Sequence, residues 1–211
     1  MHSAVPATRE VELQERILHT ARGLLFRYGY KTLTMDLLVQ ELGISKKTLY
    51  LHSAGKDTLV REVIERFFLE LGRMAEALFG DDELSFTVKL ARFTAELSAR
   101  FQRLPPHFFR DLERFAPAIF RQFEELRSRN IPVIFGRLIA EGQKAGMVRN
   151  SVDPEFATAF WQAAIRGVMH PTTADRLGLR PDQVFTQALS LFCGGLLTSK
   201  GMQDYENQVA N

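Results

Sequence analysis

The chain has 211 residues, with 27 lysines and arginines against 25 acidic residues and 45% hydrophobic residues. That balance suits one or two folded domains with cores of their own and argues against a disordered or highly charged chain. A single cysteine, Cys193, excludes an intrachain disulfide, and with no leader-like N-terminus and no apolar run of membrane length a cytoplasmic location is expected.

Taken in chain order, residues 1–10 read as a loose arm. Leu13, Ile17, Ala21, Leu24, Leu25 and Tyr28 then recur at helical spacing and predict a first helix with one buried stripe. Thr34 is placed to cap a short helix over 35–42, with Leu37, Leu38 and Leu42 as its apolar edge and Gly43 to end it. Ser45 caps the next helix. Gly43-Ile44 is then the tight joint of a helix-turn-helix, whose second helix lies in the major groove of DNA.

That second helix has an unusual distribution of side chains. With Leu49 as the inward anchor, Lys47 and Leu51 fall opposite it and Thr48 and Tyr50 on its flanks, so an apolar and an aromatic residue face water. A solvated helix gains little from that, whereas a helix facing DNA can set Leu51 on a thymine methyl, Thr48 on a base or phosphate and the Tyr50 hydroxyl on a phosphate. Lys46 and Lys47 fit the same surface. Lys56, at the predicted start of the following helix, adds a cation to N–H groups that already favour an anion. From residue 22 to residue 56 there are six cations and two anions, so the positive excess of the chain is concentrated here.

Three consecutive segments carry a resemblance. Arg16 to Tyr30, Thr34 to Ser45, and Lys46-Lys47-Thr48-Leu49-Tyr50 running on to Lys56-Asp57-Thr58-Leu59 are similar, without gaps, to the N-terminal DNA-binding domain of the TetR/AcrR family of bacterial transcriptional regulators. The resemblance covers residues 15–71. It implies that Thr34, Tyr50 and Lys56 hold phosphates and that Ser45, Lys46, Lys47, Thr48 and Leu51 meet bases or backbone in the groove. Ser53 stands where the family usually carries Phe, and Gly55 where it carries a small capping residue, which predicts a looser entry into the next helix. Val39 replaces the usual Ala.

Beyond residue 57 the composition shifts, with 14 of the 17 phenylalanines after residue 78 together with the only tryptophan, Trp161. Pro and Gly punctuate this part as helix boundaries and predict helices over 56–79, 84–103, 106–115 and 117–145, the last kinked or divided by Pro132 near Asn130. Asp153-Pro154 opens a helix to about His170, and Pro181 another to about Ser199, after which the polar tail from Gly201 is expected to fray. The expected fold is all-α: a three-helix helix-turn-helix domain in residues 1–56, and a helical ligand-binding and dimerisation domain in residues 57–211.

The resemblance implies that the last two helices pair with those of a second chain and that the middle helices enclose a small-molecule cavity. Phe185, Leu189, Phe192, Gly195 and Leu196 are the expected dimer contacts, although the same apolar pattern also suits a helix buried within one chain. Phe93, Phe101, Phe109, Phe120, Phe123 and Trp161, with Arg166 as a polar group, are the candidate ligand contacts, and aromatic stripes of this kind read equally as core. His107, Arg110, Gln162 and His170 are polar groups that either orient a ligand or serve as solvated and capping side chains. The five histidines have no metal-binding spacing, Cys193 has no base beside it in sequence, and no cofactor and no enzymatic activity are expected. The expected partners are double-stranded DNA with a palindromic operator, a second copy of the chain, and a small hydrophobic or aromatic ligand. Two alternatives stay open: a regulator with no inducer, and a helical binding module that has lost DNA binding.

Overall fold

In the computed structural model, residues 5–209 are described, with side chains from residue 10 onward. The described residues form helices α1 (Val5–Thr32), α2 (Met35–Leu42), α3 (Lys46–His52), α4 (Lys56–Phe79), α5 (Phe86–Gln102), α6 (Phe108–Phe115), α7 (Pro117–Lys144), α8 (Pro154–Met169), α9 (Pro171–Leu177), α10 (Pro181–Leu196) and α11 (Ser199–Val209). The all-α expectation holds. None of these helices is long and apolar enough to cross a membrane.

The chain divides into two compact units, Met1–Phe67 with His107–Phe123, and Phe68–Pro106 with Glu124–Asn211. The unit that holds the first three helices is therefore larger than residues 1–56, because it takes in the start of α4 and all of α6.

In the first unit α1 packs on α2 and α6, and α2 on α3. Ile17, Ala21 and Leu25 of α1 are fully buried with Leu33, Leu38, Leu49 and Leu59, a shared core that holds the short helices α2 and α3, which are too short to persist alone. Two expectations need correction. The loose arm is helical from Val5, residues 1–4 lying outside the described ones, and Tyr28 is exposed with the Arg27 guanidinium over its ring. Directly after it α1 bends at Gly29, φ 81°. A side chain there would also crowd the His107 ring of α6, 3.1 Å from the position of a Cβ.

In the second unit α5 packs against α10 and α11, and α10 against α8. Its core is a chain of rings: Phe79 to Phe93 at 5.5 Å, Phe93 to Phe135 at 6.3 Å, and Phe135 stacked on Trp161 at 5.2 Å. Trp161 continues it to Phe192 and Phe185, and Phe185 stacks on Phe101 at 4.6 Å. Lys89 is buried beside them, its ammonium donating to a Glu141 carboxylate oxygen and, at 3.4 Å, to the Phe79 carbonyl at the end of α4.

Pro132 does not divide α7, which runs unbroken through it. Proline leaves the carbonyl four residues back, that of Ser128, without its helical donor. The Gln162 side-chain amide of α8 supplies one at 3.0 Å. The tail after Gly201 is also a correction: α11 is ordered because Met147 and Thr198 pair as short extended backbone, Thr198 N–H to Met147 O at 2.9 Å, beside the Val148–Leu197 bridge. Gly201 then lies against Met147, and Tyr205 meets the Thr94 hydroxyl at 3.1 Å.

Candidate nucleic-acid interface

The helix-turn-helix is held by its caps. Thr34 Oγ1 accepts from Leu37 N–H at 3.1 Å at the start of α2, and Gly43 N–H returns to Val39 O at 3.0 Å at its end. Ser45 Oγ accepts from Thr48 N–H at 3.0 Å and lies 2.8 Å from the Thr48 hydroxyl. These bonds fix the angle of α3 and present its first turn to solvent. The entry to α4 is closed rather than loose, since Ser53 is buried and its hydroxyl donates to Gly55 O at 3.0 Å.

Leu49 is the fully buried anchor of α3, while Tyr50 is 51% and Leu51 77% exposed. Lys46 and Lys47 are exposed on the same helix, and Thr48 is half-buried. Lys46 pairs with Asp36 of α2 at 2.6 Å, and that carboxylate holds its ammonium above the usual lysine range. Both groups are well exposed, so the pair is weak and leaves the ammonium exchangeable for a phosphate.

Lys56 sits at the first turn of α4 with its ammonium 3.9 Å from the centre of the Tyr30 ring. Burial pulls that ammonium below its usual range, against the charges of Asp57 and Asp111. The Tyr30 hydroxyl donates to Asp57 Oδ1 at 2.5 Å, and burial, then this carboxylate, push the phenol up to about 12. Tyr30, Asp36, Asp57 and Asp111 were not legible as site neighbours. Tyr30, Asp36 and Asp111 each come from a different helix than the cation they meet, and Asp57, though next to Lys56 on α4, is tied to Tyr30 only by tertiary packing. Of the eight residues expected at DNA, Ser45, Lys46, Lys47, Thr48, Tyr50 and Leu51 share α3 and its cap, while Thr34 and Lys56 stand at the first turns of the flanking helices.

This arrangement, an anchored two-turn helix with a basic, apolar and aromatic outer face, coincides with a family match. Residues 17–63 match the model of bacterial regulatory proteins of the tetR family. The helix-turn-helix segment is of the tetR type. The HTH-type transcriptional regulator YvaF of Bacillus subtilis is 23% identical over 75% of this chain and 82% of its own. Among solved structures, regulatory protein TetR from Rhodobacter sphaeroides is 21% identical with a TM-score of 0.61, over 87% of this chain and 99% of its own. A gamma-butyrolactone receptor, ArpA-like, is 17% identical with a TM-score of 0.60, over 96% of each chain. These two likenesses extend the TetR fold beyond the matched residues to nearly the whole chain.

The other sequence-predicted residues divide between the units. Phe93, Phe101 and Trp161 belong to the ring chain of the second unit, where Phe93 and Trp161 are buried against other rings. Phe109, Phe120 and Phe123 belong to the first, with Phe109 5.3 Å from Phe123 and Phe120 half-buried on α7. Arg166 is exposed on α8, and its charge acts on the Glu124–Arg127 ion pair of α7. Burial raises the Glu124 carboxyl, with Arg127, Arg166 and His170 pulling the other way. His170 caps α9, a helix the sequence reading missed, accepting from Thr172 N–H at 3.4 Å.

The residues expected between chains are mostly not on an open face. Phe185, Leu189, Phe192 and Leu196 are buried inside their own chain by the α5 and α8 contacts, and only Gly195 of the five is exposed. The outer face of α10 instead carries Leu191, 80% exposed, with Gly194 and Gly195, and α8 exposes Phe156 at 68% and Phe160 at 56%.

Proposed function

We propose that the chain is a homodimeric repressor that reads a palindromic operator with two copies of α3 and is released from it by a small apolar or aromatic ligand. Residues 1–56 provide the DNA contacts, and residues 57–211 provide regulation and dimerisation. The observation that carries the reading is the pairing of a fully buried Leu49 with an outer face of Lys47, Tyr50 and Leu51, which water does not favour and a major groove does. Dimerisation is supported by the exposed Phe156, Phe160 and Leu191 on two neighbouring helices, and by the few bases that a lone helix-turn-helix reaches. Ligand control is supported by the similarity to the gamma-butyrolactone receptor and by the aromatic content of the second unit.

Once both α3 helices must meet half-sites about 34 Å apart, a ligand that favours another separation weakens DNA binding by the factor with which DNA weakens the ligand. Lys47→Ala and Tyr50→Phe each lower operator affinity in a fluorescence anisotropy titration while the melting temperature stays put. Unchanged affinity in both would remove α3 as the reading helix. A second reading, a regulator without inducer, is favoured by the close packing of Phe93, Phe135 and Trp161 on one another. A thermal-shift screen of apolar ligands decides between them, because a specific ligand raises the melting temperature by mass action.

A further inference from the structure

Among the described residues, Lys56 is the one of Lys46, Lys47 and Lys56 whose ammonium lies over an aromatic ring. Its ammonium rests 3.9 Å from the Tyr30 ring centre, and that ring is buried. The ring is fixed at its far end by the 2.5 Å bond from the Tyr30 hydroxyl to Asp57, the residue after Lys56 on α4. Tyr30 therefore ties the end of α1 to the first turn of α4 by two contacts, one to each of two consecutive residues. A free lysine side chain samples many rotamers and must give most of them up to hold a phosphate. One already seated on an aromatic face has given them up beforehand, and its charge is drawn to the ring without being cancelled by it.

We propose that Tyr30 is a positioning residue for DNA binding: its ring is the platform that holds the Lys56 ammonium at the start of α4 for a DNA phosphate, and its hydroxyl bond to Asp57 fixes the platform. The proposal rests on the DNA-binding reading above. Asp111 of α6 adds to it, since its charge draws on the same ammonium and its carboxylate packs at the Gly29 bend, one residue before Tyr30. The arrangement differs from that of Lys46, whose charge is met by a carboxylate at 2.6 Å and has no ring beneath it.

The test is a double-mutant cycle on the full chain, measuring affinity for an operator duplex across a salt series. Lys56→Ala is expected to reduce the slope of log K against log salt by about 0.9, the loss of one phosphate contact. Tyr30→Leu is expected to reduce it by most of that amount, and to cause no further loss when added to Lys56→Ala. Tyr30→Phe, which keeps the ring, is expected to retain the slope. An equal loss from Tyr30→Leu whether residue 56 is Lys or Ala would overturn the proposal, because that is what a merely structural tyrosine would do. A second readout needs no DNA: reductive methylation with formaldehyde and borohydride, read by peptide mass spectrometry. The Lys56 rate is expected to change at least fivefold between the wild-type chain and Tyr30→Leu, with the rates of Lys46 and Lys47 unchanged. An unchanged Lys56 rate in Tyr30→Leu overturns the platform even if DNA binds, and absence of DNA binding with the Lys56 rate still dependent on the ring counts against the functional reading alone.

Discussion

Leu49 and Leu51 stand two residues apart on one short helix and have opposite environments, the first fully buried and the second 77% exposed. Their substitutions therefore report different things. Leu49→Ala removes a core side chain and is expected to cost about 2–5 kcal/mol in a denaturant titration. Leu51→Ala is expected to leave stability within about 0.5 kcal/mol and to weaken operator binding by about 1 kcal/mol, roughly fivefold, in an anisotropy titration. Cys193 is a third case, an internal thiol that burial alone pushes up to about 12. At pH 8 it is almost wholly protonated, so iodoacetamide is expected to label the folded chain far more slowly than the urea-unfolded one. Equal labelling rates would mean that α10 opens readily. At this scale α3 was legible, because its outward and inward residues follow from a 100° rotation about Leu49 alone. The partners of Lys46 on it and of Lys56 on α4 were not, since Asp36, Tyr30 and Asp111 reach them only through tertiary packing.

Among the elements, the ones read correctly are those that announce their ends. Thr34, Ser45 and Asp153 accept from the N–H groups that a cap should satisfy, and α4 spans the expected 56–79. The two helices missed, α9 and α11, are short or polar and owe their order to contacts outside themselves. Pro132 was read by its local rule, and the rule was offset by a donor from α8 that sequence order does not bring near. Gln162→Leu is accordingly expected to destabilise the chain by about 1 kcal/mol in thermal unfolding, since the Ser128 carbonyl then lacks its donor. No change would show that water serves that carbonyl equally well. Gly201→Ala is expected to cost more, about 2 kcal/mol or above, because its Cβ would stand 2.2 Å from the Met147 carbonyl oxygen and backbone does not yield as a side chain does. The expected sign of this damage is loss of the Tyr205–Thr94 contact and faster amide exchange along α11.

For the molecule as a whole, periodicity told apolar from polar faces but not which neighbour each apolar face meets. On α10 both readings fitted the same residues, and the side chains expected between chains became the intrachain core, leaving Leu191 and the two glycines outside. Aromatic residues close in sequence, such as Phe101 and Phe109, likewise went to different units. The open faces of α8 and α10 give the dimer proposal a sharp form. Leu191→Arg is expected to shift the chain from dimer to monomer in sedimentation velocity and to lower operator affinity at least tenfold, whereas Phe185→Leu is expected to change stability and not assembly. A monomeric wild-type chain at micromolar concentration would contradict the two-fold arrangement.

The measurement that bears most directly on the central claim is selection of bound fragments from a random duplex library with the purified chain at near-physiological salt. The account predicts enrichment of one palindromic sequence, with half-sites about one helical turn apart, and loss of that enrichment with Lys47→Ala. Recovery of no preferred sequence, or of one that Lys47→Ala recovers equally well, would contradict the assignment of α3 as the helix that reads DNA.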